Sequence, residues 1–212
     1  MKLVSKIKEN YRTQALKTPH VIIIAGPNGA GKSTTAPAVL QGALGVTEFV
    51  NADTIAAGLS AFNPERAAFQ AGRVMLERLQ QLADSREDFA FETTLASKTF
   101  AHWLRALKLK GYVFHLIYLW LPSPELATAR VAERVKIGGH NVPEETIRRR
   151  YYAGLKNFFN LYCPLADSWF FYDNSQNSGP LLLASGVKQS GIYLNDAVMW
   201  EQIRRQNDGC TL

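Results

Sequence analysis

Residues 21–35 read V-I-I-I-A-G-P-N-G-A-G-K-S-T-T. Val21, Ile22, Ile23 and Ile24 are β-branched residues in an unbroken row, which predicts a strand buried on both faces. The chain runs directly on into Gly26-Pro27-Asn28-Gly29-Ala30-Gly31-Lys32-Ser33, the spacing of a glycine, four residues and Gly-Lys-Ser that builds a phosphate-binding loop. Such a loop turns its backbone N–H groups inward, in conformations open mainly to glycine, and Gly26, Gly29 and Gly31 supply them. The Ser33-Thr34-Thr35 run opens a helix whose N-terminus offers unpaired N–H groups and a partial positive charge to the same anion. Lys32 is expected on the β- and γ-phosphates and the Ser33 hydroxyl on Mg2+. A chance glycine-rich turn is the alternative, and the strand before and the helix start after argue against it. Residues 26–34 are therefore read as the binding segment for a nucleoside triphosphate.

The 212 residues suit one α/β domain. With 47% apolar and 20% charged residues, the composition is that of a soluble globular protein. The longest apolar run, near Val113 to Leu121, is far short of the roughly 18 residues of a membrane span. The N-terminus lacks the continuous apolar core of a secretory signal. Cys163 and Cys210 form no metal spacing and fit a reducing compartment, so a cytoplasmic location without a membrane partner is expected. The net charge of +6 is gathered in an N-terminal arm over residues 1–19 and in a later cluster of Arg130, Arg134, Lys136, Arg148, Arg149 and Arg150. No basic ribbon interleaved with aromatics is evident, so nucleic acid is not the expected partner.

From the loop onward the chain alternates. A helix from Thr34 to about Gln41 precedes a short strand, Glu48 to Val50. Asn63-Pro64 starts a helix to about Asp84, with Ala67, Ala71, Val74, Met75, Leu79 and Leu82 on its core side. Phe89 to Leu95 is a strand, Lys98 to Lys110 a helix and Tyr112 to Leu121 a long core strand. Helices from Pro124 to about Ile137 and after Pro143 flank Gly138-Gly139-His140-Asn141, a natural hinge. Ser168 to Tyr172 is a further strand. Leu181–Ala184 and Gly191–Leu194 form a hairpin, and a last helix carries Trp200 and Ile203. The predicted architecture is a three-layer α/β fold with a mostly parallel central sheet, a helical lid at about residues 136–150 and a C-terminal β-hairpin.

Ligands of such sheets collect at the carboxyl ends of the strands. Asp53, after the second strand, reads as a helix N-cap, as the general base that takes the proton of an attacking hydroxyl, or as both at once. Glu92 lies among Phe89, Phe91 and Leu95, where a carboxylate needs a partner. It is either salt-bridged or, with Thr93 or Thr94, faces the metal and substrate. The long strand ends Leu121-Pro122 without an Asp, which favours Glu92 as the metal-side carboxylate. Arg130 and Arg134 share one helix face. In the next helix Ile147, Tyr151, Leu155, Phe158 and Tyr162 form the buried stripe, Arg149 points away from it, and Arg148 and Arg150 flank it. These arginines form either a solvated face or a lid that brings guanidinium groups onto the transferring phosphoryl. Asp173-Asn174 reads as a turn.

Together, G-P-N-G-A-G-K-S-T, the Asn51-Ala52-Asp53 triplet, P-E-R-A-A-F-Q-A-G-R, F-A-F-E-T-T-L and R-V-A-E-R-V-K-I-G-G-H-N-V-P-E-E-T-I-R-R-R-Y resemble the zeta-toxin family of small kinases over about Val21 to Asn195. The resemblance implies a phosphate-loop kinase fold and use of ATP with Mg2+. It further implies phosphorylation of the amino-sugar hydroxyl of UDP-N-acetylglucosamine, and any antitoxin would be a separate protein. By motif, Lys32 and Ser33 hold phosphates and metal, and Asp53 resembles the family's base, with Asn51 beside it as a substrate-side residue. Glu92 and Thr94 match its E-x-T substrate and metal motif, and Arg134 its first clamping arginine. For the second clamp the sequence departs from the pattern, with His140 near the place and Arg148 and Arg150 as other suppliers. Two alternatives stand: a nucleoside or polynucleotide kinase, motivated by the positive charge, and a nucleotide-gated interaction module that transfers nothing.

Overall fold

The strand β1 (His20–Ala25) sits third in a seven-stranded sheet of order β2-β3-β1-β4-β5-β6-β7, and Val21 to Ala25 are fully buried. That burial on both faces is what the unbroken β-branched run requires. The computed structural model describes residues 18–60, 64–139, 141–176, 178–188 and 190–207; most of the basic arm, residues 1–17, and His140 lie outside them. After β1 come α1 (Lys32–Val39), a π turn at Leu40–Leu44, β2 (Glu48–Val50), α2 (Ala52–Leu59) and α3 (Pro64–Asp84). Then follow β3 (Phe89–Thr93), α4 (Thr99–Leu109), β4 (Val113–Trp120), α5 (Pro124–Lys136) and α6 (Glu144–Asn157), which runs into a second π turn at Phe158–Tyr162. The chain closes with β5 (Ser168–Asp173), β6 (Leu181–Val187), β7 (Gly191–Leu194) and α7 (Ala197–Asn207). Strands β1 to β5 are parallel, and β6 and β7 add the antiparallel hairpin.

Parallel strands place all their carboxyl ends on one rim, where the crevices open. Register decides which residues meet there. Ile24 pairs with Glu92 and Ala25 with Thr93 and Tyr118, so Glu92 stands two residues below the start of the glycine loop at Gly26. Val50 pairs with Phe91, which puts Asn51 beside Glu92 on the same rim. At the opposite end of the sheet His20 and His115 stack, with His20 Nδ1 2.8 Å from His115 Nε2 and His115 Nδ1 2.7 Å from Ser168 Oγ. Burial, reinforced by His20, pushes His115 down to about 3.

Two local features differ from the sequence expectation. β3 stops at Thr93 rather than Leu95, because Leu95 takes φ 58 and turns the chain away. A left-handed leucine costs about 1–2 kcal/mol. Here full burial of Leu95 opposes that cost, and Asn157 Nδ2 donates to Leu95 O at 2.8 Å and Ala96 O at 3.2 Å. Second, the cap of the helix beginning near Asp53 is Asn51, whose Oδ1 accepts from Asp53 N (2.8 Å) and Thr54 N (3.3 Å). Asp53 therefore lies inside the first turn of α2, with its carboxylate released from capping.

Candidate active site

The glycine loop leaves β1 where β4 passes closest. Gly26 has φ 142, and a Cβ there would lie 2.2 Å from the Leu119 carbonyl oxygen, so a side chain cannot be accommodated. Gly29 and Gly31 take φ 78 and 80, and Ala30 N donates back to Pro27 O at 3.2 Å. The turn after β5 braces the loop from behind: Asn174 Nδ2 donates to Ala30 O at 2.8 Å. Arg130, on α5, holds that turn through Asn174 O (2.7 Å) and Ser175 O (2.8 Å). Arg130 is thus a structural tie of the loop, and Asn174 is more than a turn residue.

Lys32 is 6% exposed; its Nζ donates to Pro27 O at 2.9 Å and lies 3.6 Å from Glu92 Oε1. Burial lowers the affinity of this amine for its proton; the carboxylates of Glu92 and Asp53 oppose that, and the Arg134 guanidinium adds to it. Asp53 and Arg134 therefore stand within electrostatic reach of Lys32, one on each side of the charge balance. Glu92 Oε2 accepts from Ser33 Oγ at 2.8 Å and from Asn51 Nδ2 at 2.9 Å. The pairing reading of Glu92 is the one seen here: its Oε1 lies 3.6 Å from Lys32 Nζ, and its other oxygen bonds Ser33 and Asn51 at the rim.

A cavity of about 700 Å3 opens beside these groups. Its lining includes Lys32, Asp53, Glu92 and Thr94 from the rim, Arg149 and Arg150 of α6, and Phe69 of α3. Burial lowers the Arg150 pKa and neighbouring Arg149 adds to this, while Asp53 pulls the other way, so Arg150 and Asp53 sense each other across the cavity. Thr94 is fixed from behind: a Cβ on Gly154 of α6 would meet the Thr94 carbonyl oxygen at 2.2 Å.

A model of the family described as Zeta toxin matches residues 3–163. The chain belongs to the zeta toxin family. Among curated proteins, an uncharacterized Haemophilus influenzae protein is 31% identical over 130 residues, 61% of this chain and 91% of that one. Among solved structures, AvrRxo1-ORF1:AvrRxo1-ORF2 with sulphate ions superposes at TM-score 0.71 with 16% identity, over 95% of this chain and 71% of that one. A related AvrRxo1-ORF1:-ORF2 structure, with ATP, gives 0.69. The PezAT toxin–antitoxin system of Streptococcus pneumoniae gives 0.61 at 16% identity, over 96% and 92% of the two chains. These likenesses, with that to a putative kinase of Chloroflexus aurantiacus at TM-score 0.52, place the chain in the phosphate-loop kinase fold.

The residues present fit a magnesium-bound triphosphate. α1 begins at Lys32 with no side-chain cap and no acid in its first turn, a helix start that an anion completes. Asn28 Oδ1 is buried with no hydrogen-bond partner among the described residues. Also among the described residues, no three His, Cys, Asp or Glu side chains converge as a metal cluster. A cation would instead share the Ser33 hydroxyl and the Glu92 carboxylate with phosphate oxygens, the oxygen set that Mg2+ takes.

Other predicted residues fall differently. Pro27 contributes its carbonyl to Lys32 and Thr34 is exposed on α1. Arg148 does not line the cavity: its Nη1 donates to Glu125 at 2.6 Å and its Nε to Glu144 at 2.8 Å. The Glu144–Arg148 spacing, four apart on a helix, was a legible sign of that pairing. The cavity arginines of α6 are instead Arg149 and Arg150. Arg134 is half-buried near Lys32 but outside the cavity wall, and His140 is outside the described residues. Sequence reasoning missed the wall made by Phe69, Gly72, Arg73 and Leu76. These lie on the face of α3 away from its core stripe, and the sequence signal was Phe69, an aromatic off that stripe, which is 82% exposed in the structure. Among the described residues no helix is long and apolar enough to cross a membrane.

Proposed function

We propose that this chain is an ATP- and Mg2+-dependent phosphotransferase that moves the γ-phosphoryl group to a hydroxyl of a small molecule held in the cavity above Asp53. The observation that carries this reading is that Asp53 and Lys32, one exposed and one buried, line the same cavity. Phosphoryl transfer needs little covalent help from a protein; positioning and charge do most of it. The acceptor oxygen forms a bond to the γ-phosphorus as the bond to the β–γ bridging oxygen breaks, ADP leaves, and the hydroxyl proton passes to the Asp53 carboxylate. Lys32 and the loop amides hold the triphosphate, and Arg134 supplies positive charge from the α5 side. Bound Mg2+ neutralises phosphate charge, and Ser33 and Glu92 are the residues that would hold it.

Membership of the zeta toxin family supports a phosphotransferase and makes UDP-N-acetylglucosamine the first acceptor to test. Residues about 136–150 act in this reading as a lid over one kinase domain, and an inhibitory antitoxin would be a separate protein. The test is mass spectrometry of the acceptor after incubation with ATP and Mg2+. A gain of about 80 Da, one phosphoryl group, supports the reading, and an unchanged acceptor removes UDP-N-acetylglucosamine as the substrate.

A further inference from the structure

We propose that Asn51 is a positioning residue that ties the helix carrying Asp53 to the metal-side carboxylate Glu92, rather than a residue that binds the acceptor. The inference rests on the reading of Glu92 as metal-side. Its starting point is that both ends of the Asn51 amide are engaged by the protein. Oδ1 accepts from Asp53 N at 2.8 Å and Thr54 N at 3.3 Å, which starts α2. Nδ2 donates to Glu92 Oε2 at 2.9 Å and lies 3.5 Å from Ser33 Oγ. The residue is 8% exposed and borders the cavity, but both polar ends of its amide are already engaged by the protein.

The cap alone does not explain an asparagine here. Aspartate, serine and threonine cap a helix about as well. Only asparagine among them puts an acceptor toward two backbone N–H groups and a donor toward a carboxylate at once, which also fixes the orientation of its amide. Aspartate would set a second carboxylate 2.9 Å from Glu92. Serine and threonine would keep the cap but fall short of Glu92. The choice of residue is therefore dictated by Glu92.

What the contact does follows from the donor count. Glu92 Oε2 accepts from Ser33 Oγ and Asn51 Nδ2, while Oε1 faces Lys32. Held from two sides, the carboxylate keeps the Ser33 hydroxyl proton pointed at itself and the Ser33 lone pairs available to a cation. The same amide fixes the first turn of α2, so base and metal-side carboxylate are set by one side chain.

The test is calorimetric titration of ATP into the full chain at a series of MgCl2 concentrations, which needs no acceptor. Asn51→Ser and Asn51→Thr keep the cap and lose the Glu92 bond. Both are expected to melt near the parent temperature and to need roughly 10–100-fold more Mg2+ for half-maximal ATP binding, the usual effect of losing such a supporting bond. Asn51→Ala, which loses both, melts lower as well. In a Glu92→Gln background the Asn51→Ser shift is expected to vanish. An Mg2+ midpoint within twofold of the parent, or an equal shift in both backgrounds, overturns the proposal and leaves Glu92's metal role standing. If Glu92→Gln alone leaves the Mg2+ dependence unchanged, the metal-side reading fails and this inference with it.

Discussion

Adding one methyl group at Gly154 tests the coupling between α6 and the Thr94 side of the cavity. Two effects compete. Alanine in a helix interior is favoured over glycine by about 1 kcal/mol. Against that, the new Cβ would sit 2.2 Å from the Thr94 carbonyl oxygen, where ordinary contact begins at 3.4 Å, so about 1.2 Å must be found. The backbone there has little room to give: Asn157 holds the next two carbonyls and Tyr162 OH donates to Ser97 O at 2.6 Å. Overpacking of this kind costs about 1–3 kcal/mol. With a Cβ at 2.2 Å from backbone the cost falls toward the upper end of that range, and after the helix gain Gly154→Ala is expected to be less stable by up to about 2 kcal/mol. The displacement is passed to Thr94, and a misplacement of about 1 Å near the chemistry costs up to roughly 100-fold in turnover. The control is Gly72→Ala on α3, where an added Cβ meets nothing within 4 Å. It gains the same helix preference and is expected to be more stable by about 0.5–1 kcal/mol. Urea unfolding of both variants, with acceptor kinetics and ATP affinity of Gly154→Ala against the parent, decides the matter. Gly154→Ala as stable as Gly72→Ala, with unchanged acceptor turnover, would refute the reasoning.

Other consequences follow from the same geometry. His115 is held down to about 3 against an ordinary 6.5. The unfolded chain therefore takes up a proton that the folded chain refuses, and stability present above pH 6.5 is lost as pH falls toward 3. One such group gives about 1.4 kcal/mol per pH unit. Unfolding free energies should fall by about 1 kcal/mol per unit between pH 6.5 and 5, steepening toward the full value near pH 5, and fall less in His115→Gln; a flat profile contradicts it. Among the arginines, Arg150→Ala is expected to lower acceptor turnover about tenfold or more, whereas Arg148→Ala leaves it within about twofold, since its exposed pairs lie away from the cavity. The reverse ranking in steady-state assays would restore Arg148 to the site.

Much of this was readable before any coordinates. The β-branched run, the glycine spacing and the alternation of strands with helices gave the parallel sheet and its C-terminal hairpin. Glu92 was legible because a carboxylate among phenylalanines demands partners, and strand register supplied Lys32 and Ser33. Less legible were choices settled by neighbours distant in sequence. Asn51 and Asp53 are both good caps, and the partner that holds Asn51 is Glu92, 41 residues away. Arg148 was drawn away by Glu125 on another helix, which no local pattern reveals. The cavity wall of α3 was missed because an amphipathic stripe reports the core face of a helix, not what its opposite face looks onto. The turn at Leu95 depends on Asn157, 62 residues away.

The central claim is that Asp53 removes the acceptor's proton while Lys32 and the glycine loop hold the triphosphate. It is tested most directly by Asp53→Asn, which keeps size and polarity and removes the carboxylate. ATP affinity is measured by calorimetry, and product by mass spectrometry with UDP-N-acetylglucosamine. The expected result is ATP binding within about twofold of the parent and turnover lowered roughly 100-fold or more, the scale of general-base catalysis. Full phosphorylation of the acceptor by Asp53→Asn would contradict the account.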